Sequence, residues 1–151
     1  MKKIKSAGKI SILIADDDAD DRELIRAAFE ENSTQYYINF VENGEELLHY
    51  LNRNGHYADE TLHPFPQIIL LDLNMPKKDG REALRELKSN NAFKSIPVII
   101  LTTSMEEKDI LRSYELGVNS FIIKPVTYSD LVEFTRVLGQ YWFEIAELPN
   151  I

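Results

Sequence analysis

The sequence predicts an α/β fold, a doubly wound sheet of five parallel strands with helices on both faces. Three observations predict it. Four short β-branched-rich apolar runs stand out, three of them nearly continuous, as expected of strands covered on both sides. Stretches of helical period lie between them, and strict alternation of this kind implies parallel strands joined by crossover helices. The chain has 151 residues, the size of one domain.

The runs are Ile10–Ala15, Gln67–Leu71, Pro97–Leu101 and Ser120–Ile123, each too short for a buried helix. Tyr36–Val41 alternates more and reads as an edge strand. Asp20–Glu31 is the first helix, with Leu24, Ala27, Ala28 and Glu31 at helical spacing. Glu45–Leu51, Arg81–Lys88 and Glu107–Leu116 come next, and Gly117 suits the left-handed residue that ends the fourth. Tyr128–Phe143 is the fifth, capped by Thr127 or Ser129, with Leu131, Phe134, Val137, Leu138 and Tyr141 on its core face. With Tyr141 on that face, at least one of Trp142 and Phe143 points outward or folds back over a neighbouring surface. The long connection Asn52–Pro66 is a surface loop or a longer second helix plus turn. Its His56 and His63 lack acids at ligand spacing and read as solvated side chains.

Hydrophobic residues make up 44% and charged residues 28%, a balance that excludes wholesale disorder. Lys and Arg number 17 against 25 Asp and Glu, a net charge of −8, which disfavours a nucleic-acid partner. Cysteine is absent, which excludes disulfides, thiolate metal sites and cysteine nucleophiles and fits a cytoplasmic protein. No run approaches the roughly 18 apolar residues of a membrane span. The basic start Met1–Gly8 lacks the apolar stretch of a signal peptide.

The chemistry lies in the residues directly after each strand. Ile14-Ala15 leads into Asp16, Asp17 and Asp18, and Leu70-Leu71 into Asp72. Ligands of open parallel sheets bind outside the carboxyl ends of the strands. If the first and third strands are neighbours, Asp16, Asp17 and Asp72 converge. Clustered, partly desolvated carboxylates call for a divalent cation, and an oxygen ligand set suits Mg2+ or Mn2+. Asp18 reads as the cap of the next helix. The fourth strand ends in Thr102-Thr103-Ser104 and the fifth in Lys124-Pro125, bringing a hydroxyl donor and a point charge to the same crevice. Such a set fits a phosphoryl group, and an Asp carboxylate can be its nucleophile.

These residues resemble the receiver domain of two-component response regulators. The resemblance covers about Lys9 to Gly139 and rests on Ile12-Leu-Ile-Ala-Asp-Asp-Asp18, Leu71-Asp-Leu-Asn-Met-Pro-Lys-Lys-Asp-Gly80, Leu101-Thr-Thr-Ser104 and Phe121-Ile-Ile-Lys-Pro125. It implies a flavodoxin-like strand order 2-1-3-4-5 and a single receiver domain over residues 1–151, with its core at about 9–139 and an aromatic extension at 140–151. It makes Asp72 the phospho-acceptor. Asp16, Asp17 and the Asn74 backbone carbonyl become metal ligands beside it. Thr102 becomes the switch hydroxyl, Lys124 the contact to the phosphoryl group and Phe121 the rotating aromatic. It also implies a cis peptide between Lys124 and Pro125. The sequence departs from the family in placing Thr103 and Ser104 after Thr102, where many members have Ala and then an assorted residue. Ala19 stands where many have Pro.

The insertion before the third strand, Thr102-Thr103-Ser104 and the tail Tyr141–Pro149 are similar to stand-alone regulators that partner bacterial phytochrome histidine kinases. The implied function is a switch phosphorylated by a sensor histidine kinase, with a downstream histidine phosphotransfer protein as a further partner. A homodimer through the fourth-helix to fifth-helix face, helped by the tail, is expected, the alternative being that the tail covers the domain's own core. Two alternatives are a haloacid-dehalogenase-like aspartyl phosphatase and a degenerate binding module. Asn74 stands where the phosphatases need a second Asp, and the full residue set argues against degeneracy. A DNA-binding regulator is disfavoured because the chain leaves no room for a helix-turn-helix domain beyond the receiver.

Overall fold

The computed structural model describes residues 10–32 and 35–150; the basic start Met1–Gly8, the expected core start at Lys9, and Ile151 lie outside the described residues. Five strands, β1 (Ile10–Ala15), β2 (Tyr36–Val41), β3 (Ile68–Leu71), β4 (Val98–Thr102) and β5 (Ser120–Ile123), alternate with five helices, α1 (Ala19–Asn32), α2 (Gly44–Leu51), α3 (Gly80–Ser89), α4 (Glu107–Leu116) and α5 (Tyr128–Gly139). The strands pair in parallel in the order β2-β1-β3-β4-β5. From β2 the chain returns past β1 to β3, so strand order reverses there and opens a crevice at the carboxyl ends of β1 and β3. Ala15 registers with both Val41 and Leu71, and Leu71 with Ile100, so the residues after these strands emerge along one edge of the sheet.

The strands read as continuous apolar runs because alternate residues serve two cores. Leu13, Ala15, Ile69, Leu71, Val98 and Ile100 pack with residues of α2 and α3. Ile12, Ile14, Ile68, Leu70, Ile99 and Leu101 pack with α1 and α5. Each such Val, Leu or Ile side chain, once buried, contributes about 1.5–3 kcal/mol.

Local chemistry sets the helix ends. Asp18 Oδ1 accepts the Asp21 amide at 3.0 Å and caps α1. Thr127 rather than Ser129 caps α5, accepting the Asp130 amide at 3.1 Å. Gly117 ends α4 at φ 108°, a conformation that a side chain would strain. The segment after α2 is a packed loop holding a short 3-10 turn, Gly55–Ala58. Tyr57 is buried under it, and the Tyr50 hydroxyl donates to the Pro64 carbonyl at 2.8 Å. His56 is exposed, whereas His63 is only half-exposed and its Nδ1 is buried.

Two helix faces differ from the periodicity reading. In α1 the buried residues are Ile25, Ala28 and Phe29, while Leu24 is 47% exposed. The apolar set fits either phase, and contact with α5 selects the one carrying the larger Phe29. At the end of α5, Val137 and Tyr141 are exposed and Phe143 is buried against the Tyr36 ring, with centroids 5.6 Å apart. The cause is a wide π-type turn over Gln140–Ile145, in which the Ala146 amide bonds the Tyr141 carbonyl five residues back. Winding at i to i+5 rotates Phe143 onto the face of Leu138, which ideal α-helical spacing does not do. Trp142 and Leu148 also pack partly on this core.

Phe143→Ala should therefore destabilise the chain by about 3 kcal/mol. Tyr141→Ala should change stability by less than about 0.5 kcal/mol. Urea unfolding of the two variants beside the parent chain checks both values.

Candidate functional site

β1 and β3 deliver the acids. The Asp16 amide bonds the Val41 carbonyl and the Asp72 amide bonds the Ala15 carbonyl, each at 3.0 Å, so both residues leave the sheet still tied to a neighbouring strand. Each stands two residues after a side chain of the α1–α5 core, Ile14 or Leu70. Asp16 and Asp72 are buried, Asp17 is exposed, and the three offer carboxylate oxygens within 4.8 Å of one another. Among the described residues this is the one such cluster of metal-ligating side chains.

Two further strand ends complete the surroundings of Asp72. Thr102, the fully buried last residue of β4, donates its hydroxyl to Asp72 Oδ1 at 2.7 Å. Lys124 comes directly after β5, and its amide bonds the Thr102 carbonyl at 2.8 Å. Its Nζ lies 2.8 Å from Asp16, 2.8 Å from Asp21 and 2.9 Å from Asp72. α3 supports the same point from below. A Cβ on Gly80 would lie 2.1 Å from the Asp72 carbonyl oxygen, so only glycine lets the helix start this close.

The electrostatics result from burial and pairing. Desolvation raises the Asp16 pKa, against the opposing pull of Lys124 and the Asp18 amide. For Lys124, burial alone would lower the pKa. Hydrogen bonds to Asp16, Asp21 and Asp72 outweigh it and hold the ammonium charged, above its ordinary value. A charged donor and a hydroxyl thus face one crevice with the carboxylates of Asp16, Asp17 and Asp72, an oxygen set that suits a divalent cation.

The sequence profile of the response regulator receiver domain matches residues 12–136. The chain belongs to the response regulator receiver family. It is a phosphorylation-controlled signalling switch, as receivers are. It is 38% identical over 141 residues to response regulator Rcp1 of Synechocystis, covering 93% of each chain. The phosphorylated cyanobacterial phytochrome response regulator RcpA superposes with a TM-score of 0.86 at 40% identity, over 95% of this chain and all of that one. The Mn2+-bound form of Rcp1 superposes at 0.84 and 36% identity, over 93% and 99% of the two chains.

Within this receiver, Asp16, Asp17, Asp72, Thr102 and Lys124 come together, and Asn74 and Phe121 stand at the margins. The Asn74 amide donates to Asp72 Oδ1 at 3.2 Å. Phe121 is half-buried on β5 against the α2–α3 core, and its amide donates to the Tyr114 hydroxyl of α4 at 3.2 Å. The expected cis bond is a correction: the Lys124–Pro125 peptide is trans, and no cis peptide occurs among the described residues. Trans is the lower-energy isomer even before proline. The bond from the Lys124 amide to Thr102 already directs the side chain inward.

Three charged residues escaped the sequence reading. Asp21 pairs with Lys124, and its place in the first turn of α1, directly after the run Asp16–Asp18, was the available signal. Arg81 of α3 makes a two-pronged contact to buried Asp109 of α4, at 2.8 and 2.7 Å. Arg81 also reaches the Asn74 side-chain carbonyl at 3.3 Å, and Ser104 donates to Asp109 at 2.7 Å. Ser104 is thus committed to α4, while Thr103 is exposed. Nothing in the spacing of Arg81 and Asp109 announces this contact.

Arg81, with help from Ser104, holds the Asp109 carboxyl down at about 2, below its ordinary value. A depressed folded-state pKa contributes stability above the unfolded value near 4, lost as pH falls toward 2. Asp109→Asn should cost about 2 kcal/mol at pH 7, and the difference from the parent chain should shrink between about pH 5 and pH 2. Urea titrations across that range test the sign.

Proposed function

We propose that Asp72 accepts the phosphoryl group from a phosphohistidine of a sensor histidine kinase. The observation that carries this reading is the Asp72 carboxylate, bonded on one oxygen by Thr102 and on the other by Lys124, beside Asp16 and Asp17. An Asp72 oxygen attacks phosphorus in line. The P–N bond breaks, its electron pair stays on the imidazole nitrogen, and a P–O bond forms to the carboxylate. Lys124 and the Thr102 hydroxyl turn to the phosphoryl oxygens. The metal is Mg2+, with Mn2+ a substitute; Asp16, Asp17, Asp72 and the Asn74 backbone carbonyl would hold it, and its charge offsets that of the phosphoryl oxygens. The departure of Thr102 leaves room for Phe121 to turn, which shifts the population of the α4–β5–α5 surface. The Arg81–Asp109–Ser104 contacts tie that movement to the loop carrying Asn74.

The kinase is of phytochrome type, a reading supported by likeness to RcpA over nearly the whole chain. Exposed Leu24 and Val126 give a kinase apolar contacts on the Asp21 and Lys124 side of the site. A histidine phosphotransfer protein is the onward partner, and a receiver serving such a kinase works in the cytoplasm. Asp72→Asn should abolish base-labile phosphorylation, read by intact mass, from both acetyl phosphate and phosphorylated phytochrome kinases. Asp17→Asn should weaken Mn2+ binding at least tenfold. A phosphorylated Asp72→Asn chain would overturn the assignment.

The homodimer belongs to the same proposal. Leu111 and Tyr114 on α4, Val137 and Tyr141 on α5, and Ile145 beyond it are exposed. Ile122, Phe134, Val137, Tyr141 and Trp142 line an apolar groove beside edge strand β5. Phe143 serves the chain's own core, so deleting the tail would unfold the face it is meant to test. Val137→Ser with Tyr141→Ser keeps the core. Sedimentation equilibrium at micromolar concentration should show a dimer for the parent chain and a monomer for the double variant. A monomeric parent with and without a beryllofluoride phosphoryl mimic would end the dimer reading.

A further inference from the structure

A lysine ammonium has three N–H groups. In this structure Lys124 Nζ has a carboxylate oxygen within 2.9 Å for each: Asp16, Asp72 and Asp21. An incoming phosphoryl oxygen therefore finds no free donor on Lys124, and one of the three contacts must break first. The three acids differ in what can happen to them. Asp16 and Asp72 belong to the triad suited to a cation, and Asp72 is also the proposed nucleophile. Asp21 belongs to neither group. It stands near the start of α1, with its side chain 37% exposed. With Leu24, Lys124 and Val126 it lines a cleft of about 100 Å³ beside the site. Its charge persists after a cation has taken the triad, and it then faces any anion that approaches.

We propose that Asp21 is a positioning residue that holds back phosphorylation by keeping Lys124 from the phosphodonor. Two effects act in the same direction. Asp21 competes for the ammonium that the phosphoryl oxygens need, and its negative charge, bared once Lys124 turns away, repels a small anionic donor. A protein donor that covers α1 displaces Asp21 through contact, whereas a free acyl phosphate must do so by its own charge. Asp21 thus favours a docked phosphohistidine over small phosphodonors. This rests on the assignment of Asp72 as phospho-acceptor.

The test is the rate of phosphorylation by acetyl phosphate at saturating Mg2+, followed by intact mass, for the parent chain, Asp21→Asn, Asp21→Ala, Asp21→Glu and Asp72→Asn. Asp21→Asn and Asp21→Ala should raise the second-order rate constant about threefold to tenfold. The gain should come through a lower KM and should shrink as salt is raised from about 0.05 to 0.5 M. Asp21→Glu should return the rate toward that of the parent. A merely structural role for Asp21 predicts slower phosphorylation or none, because damage to α1 does not accelerate chemistry at Asp72. Unchanged or slower rates in both neutral variants, with the parent chain phosphorylated, overturn the role of Asp21. A parent chain that behaves like Asp72→Asn overturns the phospho-acceptor reading instead.

Discussion

The site depends on one electrostatic constraint: the sheet forces carboxylates together where water is scarce, and Lys124 keeps them there. Asp16 and Asp72 are nearly inaccessible to solvent, and backbone hydrogen bonds to neighbouring strands fix both. An unpaired buried carboxylate would take up a proton or force the crevice open. The ammonium of Lys124 prevents this by bonding both acids, and it is buried far enough for its charge to be weakly screened. The reversal of strand order, the glycine under Asp72 and the bond from Lys124 to Thr102 all bring these charges to one point. A single lysine does not neutralise three carboxylates, and that surplus of negative charge makes the crevice a place for a cation.

The fold was legible because strands buried on both faces cannot alternate. Ile10–Ala15 and Pro97–Leu101 admitted no amphipathic reading, and the acids or hydroxyls directly after them located the crevice. Helix faces were less legible where two registers bury similar apolar surface. The set Leu24, Ile25, Ala27, Ala28 and Phe29 fits two phases, and only the packing of α5 on α1 settles which is inside. Phe143 went unread for a different reason. Periodicity assumes about 3.6 residues per turn, and the π-type turn over Gln140–Ile145 changes that period where the aromatic residues occur.

Charge pairs across helices were the least legible. Arg81 and Asp109 are 28 residues apart, and each alone reads as a solvated helix residue. Their contact exists because α3 and α4 lie side by side on the same face of the sheet. The pair also links two loops that leave adjacent strands. Arg81 touches Asn74 after β3, and Asp109 holds Ser104 after β4. Ser104 in turn directs its amide toward the Thr102 hydroxyl, at 3.4 Å. Any event that moves one of these loops strains contacts made by the other, as coupling between two discrete packings requires.

The direction of that coupling is set by where the sheet can yield. β1, β3 and β4 are buried along their whole length, and close-packed interiors tolerate little displacement. β5 differs, because Ser120, Phe121 and Ile122 are only partly covered and Ile123 is exposed. Thr102, at the end of β4, registers with Ile123, and Ile100 two residues earlier registers with Phe121. In the proposed switch the Thr102 hydroxyl turns toward a phosphoryl oxygen, and the volume it vacates must be refilled. The half-buried ring of Phe121 can move into it at less cost than any residue of the three buried strands. The Phe121 amide is bonded to the Tyr114 hydroxyl, so that movement pulls on α4. In the proposed switch, a change of one bond at Asp72 thereby becomes a change of surface at α4, β5 and α5, the face where exposed Leu111, Tyr114 and Val137 meet solvent.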